Sequence, residues 1–319
     1  MEFTFTLDGF LGLHKAGEIN QLVKVNECKL ASKDINRTLK YLSEFVNRNN
    51  LPIYNPQTRE GNLRYATIRS SFADKSVMLT LTVREPFNTS ELYDYLNSNG
   101  CNVKSGYFFL NPHPIHSAQG ELVHIYGDEY IEDSLSGIRV RISPTSFLQI
   151  NPLGSKLLYE AINEYLESSG DETVIDLYSG IGSIGMFLAR YVKSVIGVEN
   201  IESAVDDARI NSKRNSIENT VFRCENVRKW LYFAVQRNES VDSVIIDPPR
   251  SGLIKKVIDR IKALKPKKII YVSCNPESLA RDIIDFNPEY RIKRIKAYDM
   301  FPQTYHMESL VLLVPNIQL

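Results

Sequence analysis

The 319-residue sequence lacks several features that would indicate particular classes of protein. Its four cysteines (Cys28, Cys101, Cys224 and Cys274) are far apart, so neither a disulfide framework nor a CxxC zinc pair is visible. No apolar run approaches the roughly 20 residues of a membrane-spanning helix, and the N-terminal residues resemble no signal peptide. The 38 Lys and Arg residues balance 38 Asp and Glu residues, so the excess positive charge typical of a nucleic-acid partner is also missing. These absences predict a cytoplasmic protein that needs no membrane.

What is present is an ordinary folded composition, with 43% apolar and 24% charged residues. At about 100–200 residues per domain, the length predicts two domains. Residues 1–140 read as short alternating strands with two helices, which is typical of a small α+β domain. Residues 141–319 alternate strands and helices, which predicts an α/β domain with a doubly wound, mostly parallel, seven-stranded sheet. We expect its strands at 173–177, 194–199, 220–223, 241–247, 267–273, 291–297 and 309–314.

A glycine-rich segment, Asp176 to Gly185 (DLYSGIGSIG), falls between the first strand of that sheet and a helix. Glycines allow the backbone to approach a ligand closely. Glu199 ends the next strand, where a carboxylate can accept hydrogen bonds from ribose hydroxyl groups. A tight turn needed only for packing is the alternative. Because no Gly-Lys-Ser/Thr follows, the segment is not a Walker loop. Its leading acid favours an S-adenosylmethionine loop over a nicotinamide loop.

Three later polar turns follow or join core strands: DPPRSG (247–252), SCNP (273–276) and DMFPQTYHME (299–308). Ligands of doubly wound sheets bind where the carboxyl ends of the strands meet, so these turns are expected to face the same ligand as the glycine loop.

Together with SFLQIN (146–151), GVE (197–199) and YVSCNP (271–276), these segments resemble the RNA uridine-5-methyltransferases, which use S-adenosylmethionine. LGLHKAG (11–17), VNECKL (25–30) and LRYATIRSS (63–71) resemble the central domain of that family more loosely. The resemblance implies a Rossmann-like S-adenosylmethionine methyltransferase domain in residues 141–319, preceded by an α+β domain that contacts RNA.

The resemblance makes Cys274 the nucleophile and Glu308 the base of the reaction. A thiolate that adds to carbon 6 of uracil makes carbon 5 nucleophilic, and a carboxylate then removes the proton from carbon 5. A buried inert thiol is the alternative for Cys274, and a solvated surface carboxylate is the alternative for Glu308.

Further roles carry over from the matching positions. The resemblance implies that S-adenosylmethionine contacts Gln149, Tyr178, Ser183, Glu199, Asn226 and Asp247. Ser183 stands where many members have asparagine, which puts its side-chain contact in doubt. For the RNA substrate, the candidate contacts are Arg64, Arg69, Phe147, Arg250 and His306, the last of which could also orient Glu308 or serve packing.

Basic residues cluster between Arg250 and Lys268 and again between Arg291 and Lys296. Solvated helix faces explain most runs of this kind, and contact with RNA phosphates is the alternative.

Cys28 resembles one of the four ligands of an iron–sulfur cluster that many members carry. Because one thiolate cannot hold such a cluster, we expect none in this chain, which is either a naturally short member or a truncated one that lacks the N-terminal β-barrel. We expect Cys101 and Cys224 to pack as small hydrophobic residues.

The sequence therefore predicts a monomeric RNA uridine-5-methyltransferase, with ribosomal RNA slightly favoured over transfer RNA. The alternatives are a nucleic-acid methyltransferase of another specificity and an RNA-binding relative without activity.

Overall fold

The computed structural model describes residues 1–15, 17–113, 118, 120–146 and 151–316. The chain forms two compact units. Unit 1 comprises Met1–Asp133 with Ile142–Pro144, and unit 2 comprises Ser134–Arg141 with Thr145–Leu319. The chain passes between the units within a two-stranded hairpin of β8 (Ile131–Leu135) and β9 (Ile138–Ile142).

Unit 1 is built on a seven-stranded sheet with the order β3-β2-β1-β4-β5-β6-β7. All of its strand pairs are antiparallel except β5 and β6, which are parallel and are joined by α2. Its elements are β1 (Glu2–Phe5), β2 (Leu11–Lys15), β3 (Glu18–Lys24), α1 (Lys33–Arg48), β4 (Leu63–Ser70), β5 (Val77–Val83), α2 (Ser90–Ser98), β6 (Val103–Leu110) and β7 (Glu121–Gly127).

Helix α1 shows why this unit packs as it does. Its N-cap, Ser32, accepts a hydrogen bond from the Ile35 amide at 3.1 Å, which satisfies one of the free N–H groups of the first turn. Ile35, Leu39, Leu42 and Val46 recur at helical spacing and are all buried against the apolar side of the sheet. The α+β character expected for this part of the chain follows from that arrangement.

Unit 2 holds the second seven-stranded sheet, with the order β12-β11-β10-β13-β14-β16-β15. Strands β10 to β14 are mutually parallel, and β16 is antiparallel to both of its neighbours. The elements are α3 (Pro152–Leu166), β10 (Thr173–Leu177), α4 (Ser183–Leu188), β11 (Ser194–Glu199), α5 (Glu202–Arg214), β12 (Thr220–Cys224), α6 (Val227–Gln236), β13 (Ser243–Ile246), α7 (Lys255–Leu264), β14 (Lys268–Ser273), α8 (Pro276–Phe286), β15 (Tyr290–Tyr298) and β16 (Glu308–Pro315).

This topology confirms the predicted doubly wound sheet. Strand β10 pairs with β11 on one side and with β13 on the other, so the chain order reverses there and a crevice opens at the carboxyl ends of the strands. The central strands β13 and β14 are covered on both faces and are almost entirely apolar, as expected of buried parallel strands.

The cysteines differ from expectation at one position. Cys101 is completely buried and packs in the core of unit 1, whereas Cys224 is exposed and does not pack as a small hydrophobic residue. Cys224 ends β12, an edge strand of the sheet, where half of the residues point away from covering helices. Within the described part of the chain, no helix is long and apolar enough to cross a membrane.

Candidate active site at the carboxyl ends of the strands

Asp176, on the central strand β10, lies buried at the bottom of the site. Its Oδ2 accepts a hydrogen bond from the Gly185 amide at 3.0 Å, while Oδ1 is buried without a hydrogen-bond partner among the described residues. Burial, followed by the negative charge of Asp247, raises the pKa of Asp176 to about 8. An unpartnered buried oxygen of this kind is suited to a donor or cation supplied by a ligand.

The glycine loop that follows β10 is open on one side and packed on the other. Gly180 has a φ of +52°, and a Cβ built there would meet nothing within 4 Å. Gly182 has a φ of +77°, and a Cβ there would lie 2.5 Å from the ring of Phe222. The open side at Gly180 therefore leaves room for a ligand, whereas Gly182 is required by close packing.

Glu199 ends the neighbouring strand β11 with its carboxylate held by three backbone amides. Oε2 accepts from Gly180 at 3.1 Å, and Oε1 accepts from Asn200 at 2.7 Å and Ile201 at 3.0 Å. These bonds fix the carboxylate beside the open glycine, and each oxygen keeps lone-pair capacity for a hydroxyl donor. Asn226 lies past the next strand, β12, where it caps α6 and accepts from the Lys229 amide at 3.3 Å.

A pocket joins these groups to α3. Ser183 Oγ lies 2.8 Å from the hydroxyl of Tyr159, a buried α3 residue that sequence reasoning missed. Tyr178 borders the same pocket, and burial raises its pKa to about 12. The lining residues are Leu158, Tyr159, Asp176, Tyr178, Ser179, Gly180, Ile181, Ser183, Ile184 and Asp247. The buried oxygens of Asp176 and Ser179 have no hydrogen-bond partner among the described residues, and Gly180 borders open space, so the pocket offers polar groups to a ligand.

The register of β14 and β16 brings Cys274 and Glu308 together. Ser273, the last residue of β14, is opposite Ser309 in this antiparallel pair, so extending the register by one position sets Cys274, directly after the strand, opposite Glu308, the first residue of β16. The two candidate catalytic residues, 34 positions apart in the sequence, therefore face each other at the edge of the sheet that carries the glycine loop.

The electrostatics of this pair are unusual. Glu308 is only 4% exposed, and its Oε2 has no hydrogen-bond partner among the described residues. Burial, reinforced by Asp247 and opposed by Arg250, raises the pKa of Glu308 to about 7. The pKa of the Cys274 thiol is raised by burial and then by the negative charges of Glu308 and Asp247, again with Arg250 opposing. A carboxyl group that titrates near neutral pH beside a half-buried thiol is typical of acid–base chemistry.

The turn from Asp247 to Gly252 supplies the remaining charges. Burial raises the pKa of Asp247 to about 7. Arg250 is exposed, and its Nη2 lies 3.0 Å from Nδ1 of His306. The pKa of His306 is lowered by partial burial and by Arg250, so a neutral ring accepts this hydrogen bond. The structure thus places Arg250 and His306 together, and Arg250 acts electrostatically on both Cys274 and Glu308.

Four further residues were predicted as site residues, two of them outside the described part of the chain and two in unit 1. Phe147 and Gln149 lie outside the described residues. Arg64 is in unit 1, where it is 4% exposed and donates from Nη1 to the carbonyls of Asn111 at 3.0 Å and His113 at 2.7 Å. Its guanidinium thus has an evident structural role, and the side chain also lines a cavity of about 1010 Å³ in that unit. Arg69 lies on β4, and burial lowers its pKa. RNA contact by Arg64 and Arg69 stays a prediction.

Six of the twelve basic residues in the two runs are paired with acids. Lys262 lies 3.2 Å from Glu289, and Lys267 lies 2.8 Å from Asp242. Glu167 forms ion pairs with three cationic side chains, Lys268, Lys293 and Arg294, at 3.2–3.4 Å. Ion-paired surface faces therefore account for much of the clustering, in line with the simpler of the two interpretations.

The strand order of unit 2, with an antiparallel strand beside β14 and a glycine loop after β10, defines the class of S-adenosylmethionine-dependent methyltransferases. A family model described as tRNA (Uracil-5-)-methyltransferase matches residues 113–316. The chain belongs to this family.

Similar proteins agree with that membership. An uncharacterized RNA methyltransferase of Caldanaerobacter subterraneus is 35% identical over 98% of this chain and 71% of its own length. A second one, from Fusobacterium nucleatum, is 35% identical over 93% of the chain and 65% of its own length. The chain thus spans about two thirds of these curated relatives. The crystal structure of Pyrococcus abyssi tRNA (uracil-54, C5)-methyltransferase in complex with S-adenosyl-L-homocysteine is 30% identical, with a TM-score of 0.82 over 98% of this chain and 75% of the other.

Proposed function

We propose that this chain transfers a methyl group from S-adenosylmethionine to carbon 5 of a uridine in RNA, with Cys274 as the nucleophile and Glu308 as the base. The observation that carries the proposal is the juxtaposition of a half-buried thiol and a buried carboxyl group of raised pKa across β14 and β16. The membership of the chain in a uracil-5-methyltransferase family supports it.

The residues divide the chemistry between them. The Cys274 thiolate adds to carbon 6 of the uracil ring, forming a carbon–sulfur bond and an enolate whose carbon 5 is nucleophilic. S-adenosylmethionine, when bound, would supply the electrophilic methyl group that carbon 5 takes, with the sulfur–methyl bond breaking and S-adenosylhomocysteine left as the product. Glu308 then removes the proton from carbon 5, the electron pair re-forms the C5–C6 double bond, and the carbon–sulfur bond breaks to release Cys274 as a thiolate.

The cofactor is held, in this proposal, by the groups around the glycine loop. Glu199, held in a fixed position, accepts hydrogen bonds from the ribose hydroxyls. Asp247, which is charged above about pH 7, attracts the cationic ligand, and the mostly neutral Asp176 offers its unpartnered oxygen for hydrogen bonding. Tyr178 and Ser183 border the pocket, and Asn226 lies at the end of the adjacent strand β12. Gln149 completes the predicted set. No iron–sulfur cluster is part of the proposal.

Arg250 and His306 border Cys274 and Glu308, and we assign them to the substrate side of the site. Residues 1–140 are the proposed RNA-contacting domain and residues 141–319 the catalytic one, in a monomeric cytoplasmic enzyme. Ribosomal RNA and transfer RNA are the two candidate substrates, and the DMFPQTYHME segment slightly favours ribosomal RNA. Mass mapping of 5-methyluridine in both RNA pools, with and without the gene, identifies the substrate.

RNA carrying 5-fluorouridine tests the mechanism, because fluorine at carbon 5 cannot be removed as a proton and the covalent adduct accumulates. We expect a stable protein–RNA adduct with the wild-type chain and none with Cys274→Ala. Cys224→Ala, at an exposed cysteine on an edge strand, is the matched control and should retain the adduct.

Full methylation by Cys274→Ser without an adduct would contradict the mechanism and favour an enzyme that methylates an exocyclic amine. Failure of the wild-type chain to bind S-adenosylmethionine in calorimetry would favour an RNA-binding protein without activity.

A further inference from the structure

Helix α8 begins directly after Cys274 and is tied to the turn that carries Arg250. Asn275 Nδ2, at the cap of α8, donates to the Arg250 carbonyl at 3.0 Å. Arg281 Nη2 donates to the Ser251 carbonyl at 2.7 Å. These two bonds attach the backbone carbonyls of Arg250 and Ser251, consecutive residues of the 250–253 turn, to the cap and the body of α8, the helix that follows Cys274.

Asp282 is the centre of this attachment. It is completely buried, and its Oδ2 accepts from the Leu253 amide at 2.7 Å and from the Tyr271 hydroxyl at 2.7 Å. Its Oδ1 accepts from Arg281 Nε at 3.0 Å and Nη2 at 2.7 Å. One carboxylate thus joins β14, α8 and the turn, and a charged acceptor with four donors makes strong, directional bonds.

The backbone of the turn is shaped to meet this carboxylate. Gly252 has a φ of +72°, and a Cβ there would lie 2.5 Å from Asp282 Oδ2. Any larger residue would push the turn away from α8, so the close approach requires glycine at this position.

The position of the turn affects the two reacting residues through Arg250. The guanidinium charge of Arg250 opposes the rise in the pKa of both Cys274 and Glu308. A shift of the turn away from α8 would weaken that effect, because the interaction of two charges falls with distance.

We propose that Asp282 is a positioning residue: it holds the 250–253 turn against the Cys274–Asn275 segment and thereby keeps the Arg250 guanidinium beside the thiol and the Glu308 carboxyl group. The role of Asp282 in catalysis rests on the proposed function, whereas the attachment of the 250–253 turn to α8 through Asp282 does not.

Alkylation of Cys274 with iodoacetamide tests the proposal without RNA or methylation. The rate for Cys274 is followed from pH 6 to pH 10 by peptide mass spectrometry, and the exposed Cys224 in the same sample is an internal control. In Asp282→Asn and Arg250→Gln we expect the Cys274 profile to move to higher pH, with alkylation at pH 8 about threefold slower because less thiolate is present. In the double variant, no further shift is expected.

Two variants keep the test interpretable. Tyr271→Phe removes one donor to Asp282 with little change of volume and should shift the profile in the same direction, by less. Asp285→Asn is the matched control, because Asp285 lies on the same helix and is partly exposed, 3.8 Å from Lys255. Its profile should equal that of the wild type.

Unchanged Cys274 profiles in both Asp282→Asn and Tyr271→Phe would overturn the proposal, and so would additive shifts in the Asp282→Asn/Arg250→Gln variant. Calorimetry with S-adenosylmethionine shows whether each variant keeps the fold of the cofactor pocket. Absence of 5-methyluridine formation by the wild-type chain would overturn the proposed function instead, and the alkylation result would still stand.

Discussion

If Glu308 is the proposed base, its raised pKa makes the removal of the carbon 5 proton depend on pH in the neutral range. The main cause of the raised pKa is burial, with Asp247 raising it further and Arg250 lowering it, to a value of about 7. From that value, the ionised fraction is about 0.9 at pH 8, about 0.1 at pH 6 and about 0.01 at pH 5. A glutamate with an ordinary pKa would still be almost fully ionised at pH 6. Proton removal should therefore slow about tenfold per pH unit below pH 7.

A single-turnover assay isolates this step. RNA with tritium at carbon 5 of uridine reports proton removal by release of tritium into water, and a denaturing gel reports the covalent adduct. The gel separates the role of Cys274, which forms the adduct, from that of Glu308, which resolves it. We expect the adduct formed at pH 8 to lose tritium about tenfold more slowly after transfer to pH 6.

Two variants give the prediction its controls. Glu308→Gln should form the adduct and retain tritium at every pH, because the amide is not a base. Arg250→Gln should move the pH profile upward, since Arg250 lowers the pKa of Glu308. Release of tritium at the same rate at pH 6 and pH 8, or at the wild-type rate in Glu308→Gln, would refute the assignment of Glu308 as the base.

Two further predictions concern the cofactor pocket. Because the pKa of Asp247 is about 7, its carboxyl group is mostly neutral at pH 6 and charged at pH 8. Asp247→Asn should therefore weaken S-adenosylmethionine binding about tenfold more at pH 8 than at pH 6, and a pH-independent ratio of dissociation constants in calorimetry would contradict this. Gly180→Ala and Gly182→Ala introduce the same positive-φ strain, yet only Gly182→Ala brings a Cβ within 2.5 Å of a ring. We expect Gly182→Ala to lower the melting temperature by several degrees more than Gly180→Ala, because about 1–3 kcal/mol of overpacking adds to the shared strain, and we expect Gly180→Ala to weaken cofactor binding. Equal melting temperatures of the two variants would show that the Phe222 ring moves aside to accommodate the added Cβ at position 182.

The sequence predicts unit 2 well because its signals are local. Strands such as Ser243–Ile246 and Lys268–Ser273 are short apolar runs between helices, and this composition predicts strands that are buried on both faces. In the first 140 residues, the strands Leu11–Lys15, Glu18–Lys24 and Ile131–Leu135 were not predicted. Strand Glu18–Lys24 forms by pairing with β2, and Ile131–Leu135 by pairing with β9. Pairing of that kind depends on neighbours that a local pattern does not identify.

The site shows the same division. Glu199 was predicted because it ends an apolar strand, whereas the roles of Asp247 and Cys274, in turns that follow apolar strands, were implied by the family resemblance. Tyr159 was not predicted, because a buried aromatic residue on a helix reads as ordinary core until the topology sets α3 beside the glycine loop. Asp282 was missed for a different reason, since an acid within an amphipathic helix is expected to face water. Its burial depends on donors from Tyr271, Arg281 and the 250–253 turn.

The direction of the last strand explains how one edge of the sheet carries both the proposed nucleophile and the proposed base. Parallel strands present their carboxyl ends at that edge, so Cys274 follows the end of β14 there. Because β16 is antiparallel to β14, it is the start of β16, at Glu308, that lies at the same edge. A parallel strand in that place would begin at the opposite edge, and a register slip of one residue would turn Glu308 to the other face of the sheet. The pairing of the two residues is therefore a property of strand order and register, which the sequence motifs alone do not contain.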